Sequence, residues 1–276
     1  MGTDPQVHPF DELVSRPEAD VRLATAALLF ARDEYDQVDP EFYLGQLDDL
    51  ARRVAAHPAS SPAGRVESLR HVLVEQEDFR GDEQSYHSAD SSYLNCVIDK
   101  RRGLPIALAV IWIDVARTLD WPIHGVGLPG HFILSYDSPD DRILIDPFHN
   151  GVVVNPEDCR QIVRAMFGRA VPFEREQLRP VSTFAILERM LGNLYTLYVQ
   201  QRDWLRAARV LTRTIALRPG SFAFRAELGR TLIEAGELAA AEVALAEAMS
   251  LTLGTEEREA LDAHYQALRQ ARVQRN

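Results

Sequence analysis

The sequence of 276 residues predicts an α+β fold, and three observations predict it. Amphipathic helical patterns fill most of the first hundred residues. One strongly apolar helix is followed by four short β-rich runs, and helical patterns that contain an internal repeat return after residue 180. A helix packed on a small antiparallel sheet is typical of this fold class. We therefore expect an N-terminal helical segment over residues 1–90, a core over 91–175 and helical repeats over 180–276.

The charge and hydropathy of the chain exclude several classes of partner. Asp and Glu number 41 against 30 Lys and Arg, so the formal net charge is −11 and phosphate backbones are repelled. No apolar run reaches the roughly 18–20 residues that a membrane span needs. The first ten residues have neither a basic region nor an apolar core, so no signal peptide is predicted. With two cysteines, the chain is predicted to be cytoplasmic, without nucleic-acid or membrane partners.

The N-terminal segment is predicted to contain three helices, over residues 20–33, 42–56 and 65–77. Each range carries apolar residues at intervals of three and four, which places them on one face of a helix. Residues 79–90 show no periodicity and are predicted to form a polar loop.

The middle of the chain is predicted to combine two helices with a small sheet. A short helix is expected over residues 93–99. An apolar helix follows over residues 104–119, with Pro105 in its first turn, where the missing N–H is tolerated. Short strands separated by turn residues are expected over 123–127, 131–136, 142–146 and 152–154.

The C-terminal region repeats itself when the sequence is shifted by 34 residues. The shift places Ala207 on Ala241 and Leu211 on Leu245. A 34-residue helix–turn–helix period with small residues at these positions is typical of tetratricopeptide repeats. The alternative is an ordinary pair of helical hairpins. Two repeats are fewer than the three that a free solenoid needs, so we expect them to pack on the rest of the chain.

His131 and Asp146 form the candidate pair for chemistry. They lie at the start and end of two predicted strands joined by residues 137–140. If Tyr136 pairs with Asp141, the residue numbers of every directly opposed pair in this antiparallel hairpin add up to 277, as those of His131 and Asp146 do. His131 would then face Asp146 directly, on one side of the sheet. A carboxylate placed in this way holds an imidazole in one tautomer, as in a nucleophilic triad. The alternative is a purely structural His–Asp pair.

A triad would also need a nucleophile at a helix N-terminus, where the dipole lowers the pKa of a thiol. The N-terminus of the apolar helix reads Gly103-Leu104-Pro105-Ile106 and contains neither a thiol nor a hydroxyl. The residues therefore predict a base and its orienting carboxylate without a partner nucleophile.

Three runs of sequence in order, RRGLPIALAVIWIDVARTLDWP, GVGLPGHFILSY and ILIDPF, resemble the transglutaminase-like fold, a relative of the papain-type cysteine proteases. That family has a cysteine at a helix N-terminus, then a proline, a strand-opening histidine and an Asp-Pro. The resemblance implies that Pro122, His131 and Asp146-Pro147 match these positions. It also implies that Pro105 occupies the position of the nucleophile.

The combination of SYLN, RRGLPI, GVGLPGHF and IDPF resembles a bacterial family of the SirB type more closely. This resemblance covers roughly residues 60–250 and implies a transglutaminase-like core fused to C-terminal tetratricopeptide repeats. In that family the cysteine position is typically not cysteine. The chain departs from the family pattern at Ala107, where Thr or Ser is usual, and at Ser91, where Asn is common. Both departures weaken a catalytic interpretation.

The remaining cysteine and histidine side chains near these motifs are expected to be structural. Cys96 lies nine residues before Pro105 and is an alternative nucleophile, but its apolar neighbours predict a buried packing residue. His87 and His149 flank loops without a fixed ligand spacing, so we expect no metal and no cofactor. His124 on a short strand is expected to be structural.

The function that this resemblance implies is a non-enzymatic interaction or scaffold protein built on a degenerate core. Its repeats would bind a protein or peptide partner. The alternative is a hydrolase or acyl transferase in which His131 acts as a base oriented by Asp146. That enzyme would act through a water, a substrate hydroxyl or Cys96.

Overall fold

The computed structural model of the protein describes residues 7–83, 87–139, 141–168, 170–251 and 265. The chain divides into two compact units: one is Pro17–Met190, and the other joins Met1–Arg16 to Leu191–Asn276. The helices between residues 17 and 90 thus lie in the same unit as residues 123–154, whereas the helix over residues 9–14 lies in the other unit. The predicted division into ranges 1–90, 91–175 and 180–276 stays a prediction.

The described residues combine helices with short strands, in agreement with the predicted α+β class. The helices are α1 (Pro9–Val14), α2 (Leu23–Ala31), α3 (Pro40–Ala55), α4 (Pro62–Arg70), α5 (Leu94–Lys100), α6 (Pro105–Thr118), α7 (Pro156–Phe167), α8 (Thr183–Gln200), α9 (Trp204–Leu217), α10 (Phe222–Glu234) and α11 (Leu238–Leu251). The strands are β1 (Arg80–Gly81), β2 (Arg102–Gly103), β3 (Ile123–Leu128), β4 (His131–Asp137), β5 (Arg142–Asp146) and β6 (Val152–Val154). None of the described helices is both long and apolar enough to cross a bilayer.

Helices α3 and α4 begin where side chains satisfy the first free backbone N–H groups. The Asp39 carboxylate accepts the N–H of Glu41, and the Ser61 hydroxyl accepts the N–H of Gly64. Each of these helices also starts with a proline, which costs no hydrogen bond at that position. The pattern predicted as one helix over 65–77 becomes α4 followed by a turn of π-helix, His71–Gln76.

A buried ion pair fixes the start of α2 to α6. Arg22 donates from Nε to Asp114 Oδ1 over 2.9 Å and from Nη2 to Asp114 Oδ2 over 2.6 Å. Asp114 is 1% exposed. The same Nη2 lies 2.7 Å from Asp48 Oδ1 on α3. This bidentate geometry is the strong form of an Arg–carboxylate contact, and it holds three helices together.

Helix α6 is the central element of the unit and packs against β3 and β4. Its apolar residues are buried around most of its circumference, and Trp112 is 1% exposed. Gly151 has a φ of +67°, and a Cβ there would lie 2.8 Å from the Trp112 ring. Glycine at this position therefore meets both the turn geometry and the close approach of the indole.

The sheet is antiparallel in the order β3-β4-β5-β6, and its register differs from the predicted one. Leu134 pairs with Ile145 and Asp137 with Arg142. The residue numbers of directly opposed pairs therefore add up to 279 instead of the predicted 277. The predicted direct opposition of His131 and Asp146 is therefore wrong. Two hydrogen bonds continue the pairing beyond Asp137: the Ser138 N–H donates to the Asp141 carbonyl over 2.9 Å, and the Ser138 hydroxyl accepts the Asp141 N–H.

The register shift is by two residues, which is an even number. Side chains alternate between the faces of a strand with a period of two, so an even shift leaves every side chain on its predicted face. His131 and Asp146 therefore remain on the same side of the sheet although they are not directly opposed.

Strands β1 and β2 form a two-residue parallel ladder that pairs Arg80 with Arg102 and Gly81 with Gly103. The range predicted as a polar loop, 79–90, therefore contains a strand. The Gly81 N–H donates to the Phe148 carbonyl over 3.0 Å, and a Cβ at Gly81 would overlap the Phe148 ring. This ladder holds the loop after β5 beside the segment that leads into α6.

The other unit contains helices whose bounds repeat at 34 residues. Helices α9 and α11 have equal lengths, and their first and last residues are each 34 apart, as are the last residues of α8 and α10. Ala207 and Ala241 are fully buried. Within this unit α1 packs against α9, where Asp11 lies 2.7 Å from Arg213.

Candidate functional site

The structure brings His131 and Asp146 together at the ends of neighbouring strands. His131 is the first residue of β4 and Asp146 is the last residue of β5. His131 Nε2 lies 2.8 Å from Asp146 Oδ2, and the two side chains are 4% and 1% exposed. Because a carboxylate accepts hydrogen bonds, Nε2 carries a hydrogen, and in the neutral form of the ring the lone pair is then on Nδ1.

Asp146 is held by four hydrogen bonds. Its Oδ1 accepts the backbone N–H groups of Phe148 and His149 at 3.0 and 3.2 Å. Its Oδ2 accepts His131 Nε2 and also His149 Nδ1, each at 2.8 Å. Burial alone would raise the pKa of Asp146, but hydrogen bonding and charge from the two histidines outweigh burial and lower that pKa. The carboxylate is therefore ionised at neutral pH.

His149 is a member of this site that sequence reasoning missed. The sequence predicts a lone histidine beside a loop, whereas the structure places its Nδ1 2.8 Å from Asp146 Oδ2. Its side chain is 53% exposed, and its ring centroid lies 5.7 Å from that of His131. The signal was available in the spacing, since an aspartate that ends a strand and a histidine three residues later meet across a tight turn.

Phe148 and Arg189 support His131 from two sides. The Phe148 ring meets the His131 ring edge-on with centroids 5.9 Å apart. Arg189 Nη2 donates to the carbonyls of Leu128 and His131 at 2.8 and 2.7 Å, and its guanidinium lies over the ring of Phe132. Burial lowers the pKa of Arg189. No local pattern marks Arg189 for this role, because it is far from the turn in sequence.

Pro105 lies at the first position of α6 and is buried. The preceding residue, Leu104, makes no side-chain cap, and its N–H donates to the Ser91 carbonyl over 2.9 Å. The start of α6 thus presents no nucleophilic side chain, as its sequence predicts.

Both cysteines are buried. The Cys96 sulfur lies 3.5 Å from Asn95 Nδ2, and burial raises the pKa of its thiol. Cys159 packs in an apolar cluster with Val126 and Ile133, and burial raises its pKa to about 11. Neither side chain is a thiolate at neutral pH, so neither has the electrostatic setting of a reactive cysteine.

The remaining histidines singled out in the sequence lie elsewhere. His124 is exposed on β3, and His87 is exposed in the segment before α5. Within the described part of the chain, the cluster of possible metal ligands consists of His131, Asp146 and His149 and includes neither of them.

Residues 41–192 match the family model of the transglutaminase-like superfamily, and the chain belongs to this superfamily. Its relatives include a UPF0162 protein of Xylella fastidiosa (strain 9a5c), which is 30% identical over 96% of both chains. The UPF0162 protein of Pseudomonas aeruginosa is 31% identical over 78% of each. Human F-box only protein 21 is 27% identical over 48% of this chain and 21% of its own length. No solved structure matches the chain.

Proposed function

We propose that the protein is a non-enzymatic interaction protein of the SirB type, whose core lacks a thiol nucleophile and whose C-terminal helices bind a protein or peptide. The observation that carries this proposal is the buried Pro105 at the first position of α6. It stands where the resemblance to the superfamily implies a cysteine. The raised thiol pKa values of Cys96 and Cys159 support the same conclusion.

The C-terminal helices are proposed to be tetratricopeptide-like repeats. The 34-residue spacing of the helix bounds supports this, because it is the period of that repeat. The buried Ala207 and Ala241 also support it, because small residues let paired helices approach closely. Such repeats place their first helices side by side to form a binding surface.

A groove of about 250 Å³ lies between α8 and α10, the first helices of the two proposed repeats. It is lined by Tyr195, Val199, Trp204, Glu227, Arg230, Thr231, Ile233 and Glu234. The Tyr195 hydroxyl donates to Glu227, which fixes the ring at the groove wall. Glu227 is paired with Arg230, so the aromatic rings of Tyr195 and Trp204 beside Glu234 suit a peptide that carries one apolar and one basic side chain.

A displayed peptide library selected on the full-length protein tests this proposal. Peptides that occupy the groove are expected to bind at least tenfold more weakly to Trp204→Ala, because interfacial tryptophans carry much of the binding energy. Leu205→Ala is the matched control, since Leu205 is adjacent and 51% exposed but does not line the groove. His131→Ala is expected to bind the same peptides unchanged. Failure to select any peptide, or full binding by Trp204→Ala, would contradict the proposal.

A second candidate function is a hydrolase or acyl transferase that does not use a thiol. The hydrogen bond from His131 Nε2 to the ionised Asp146 favours it, since this bond fixes the tautomer with its lone pair on Nδ1. Such an imidazole can take a proton from a water or a substrate hydroxyl as that oxygen attacks a carbonyl. A positioned base of this kind contributes about 10²–10⁴-fold.

Hydrolysis of activated acyl esters by the full-length protein distinguishes the two candidates. If the second function holds, His131→Ala lowers the rate by about 10²–10⁴-fold while His124→Ala leaves it unchanged. Alkylating reagents at neutral pH are expected to label Cys96 and Cys159 slowly and to leave the rate unchanged. Equal rates for His131→Ala and the unmodified protein would exclude this function. Rapid labelling of Cys96 that depends on His131 would contradict both candidates.

A further inference from the structure

We propose that His131, Asp146 and His149 form a binding site for a divalent transition-metal ion of the zinc type. One donor atom from each residue lies within 4.8 Å of the others. Two imidazoles and one carboxylate are a common protein ligand set for such ions, and they leave positions open for water or a substrate. This inference goes beyond peptide binding by the C-terminal helices and does not depend on it.

The distances between donor atoms fit an ion after a small movement. His131 Nε2 and His149 Nδ1 each lie 2.8 Å from Asp146 Oδ2. Bonds of about 2.0–2.2 Å to a tetrahedral ion would place these atoms about 3.4 Å apart. Each nitrogen therefore has to move away from Asp146 Oδ2 by roughly half an ångström. His149 is free to make this movement because its side chain is 53% exposed.

The surrounding hydrogen bonds orient the carboxylate toward such an ion. Asp146 Oδ1 is held by the backbone N–H groups of Phe148 and His149, which leaves Oδ2 directed at the two imidazoles. Hydrogen bonds of this type, one shell beyond the ion, fix ligand orientation and contribute to affinity.

Binding would change the tautomers of both imidazoles without a net release of protons from neutral rings. The hydrogen on His131 Nε2 moves to Nδ1, and the hydrogen on His149 Nδ1 moves to Nε2. The lone pair of His131 then faces the ion. His131 therefore cannot bind an ion through Nε2 and act as a general base through Nδ1 at the same time.

The donor set also selects the class of ion. Imidazole nitrogens favour zinc, copper, iron and nickel, whereas magnesium and calcium favour sites made only of oxygen ligands. Zinc is the probe of choice because its affinity is measurable by competition with a chromophoric chelator. Cobalt provides a second probe, because its visible spectrum reports the coordination directly.

The test is zinc competition with untagged, full-length protein. We expect one ion per chain, at least tenfold weaker binding by His149→Ala, and no competition by magnesium. His124→Ala is the matched control because His124 is an exposed histidine of the same sheet, and it should bind as the unmodified protein does. Circular dichroism of the metal-free variants checks that each keeps its fold, and the cobalt spectrum should be lost only in His149→Ala.

Three results would overturn the proposal. The first is binding of less than one zinc per chain at saturation. The second is equal affinity in His149→Ala and the unmodified protein. The third is a loss of binding in His124→Ala, which would assign the ion to scattered surface histidines.

Discussion

Replacing Asp146 with alanine is expected to lower the free energy of unfolding by about 3–5 kcal/mol. The substitution removes the acceptor of four hydrogen bonds, from the side chains of His131 and His149 and from two backbone N–H groups. The His131 ring and the Phe148 N–H are buried, so water cannot replace the lost acceptor without opening the loop. Urea unfolding of the full chain measures the change.

Two variants separate this effect from the loss of a charge. Asp146→Asn keeps an oxygen for the two backbone N–H groups, so it should cost clearly less than Asp146→Ala. Asp36→Ala removes an exposed carboxylate and should change stability by no more than about 0.5 kcal/mol. Equal stabilities of Asp146→Ala and Asp36→Ala would contradict the four-bond description of the site.

Replacing Gly81 with alanine is expected to destabilise the protein by about 1–3 kcal/mol through overpacking. The new Cβ would overlap the Phe148 ring, which is 6% exposed and meets the rings of His131 and His149. Phe148 has to move, and the two histidines have to move with it. Urea unfolding gives the energy, and the imidazole resonances of both histidines should shift in NMR spectra.

Gly45→Ala is the matched control for this substitution. Gly45 lies inside α3, and a Cβ there meets no other described atom within 4 Å. Alanine is a better helix former than glycine by about 1 kcal/mol, so this variant should be slightly more stable than the unmodified protein. The prediction fails if both glycine variants change stability in the same direction.

The contact between His131 and Asp146 was predictable because side chains along a strand alternate between the two faces of the sheet with a period of two residues. The predicted register was wrong by two residues, because hydrogen bonds between Ser138 and Asp141 continue the strand pairing beyond Asp137. An even shift leaves the side chain of His131 on its predicted face of the sheet. The bounds of β5 and β6 were predicted correctly for a similar reason. Both strands are short apolar runs between clear turn residues.

Features that depend on contacts between distant segments were not predictable from local pattern. Strand β1 has two residues and no periodicity, and only its pairing with β2 defines it. Arg189 reaches the His131 carbonyl from a helix that begins more than fifty residues later. The π-helical turn after α4 has the apolar spacing of an ordinary helix, so no periodicity distinguishes it.

The ion pair of Arg22 with Asp114 joins a residue outside the superfamily match to a residue inside it. The superfamily match begins at residue 41, so Arg22 lies outside it while Asp114 lies inside. A fragment cut at the start of the match would bury the Asp114 carboxylate without its guanidinium, at a penalty of about 3–5 kcal/mol. The residues that match the superfamily model are therefore fewer than the residues that hold this unit together, and a fragment intended to fold has to include α2 with Arg22.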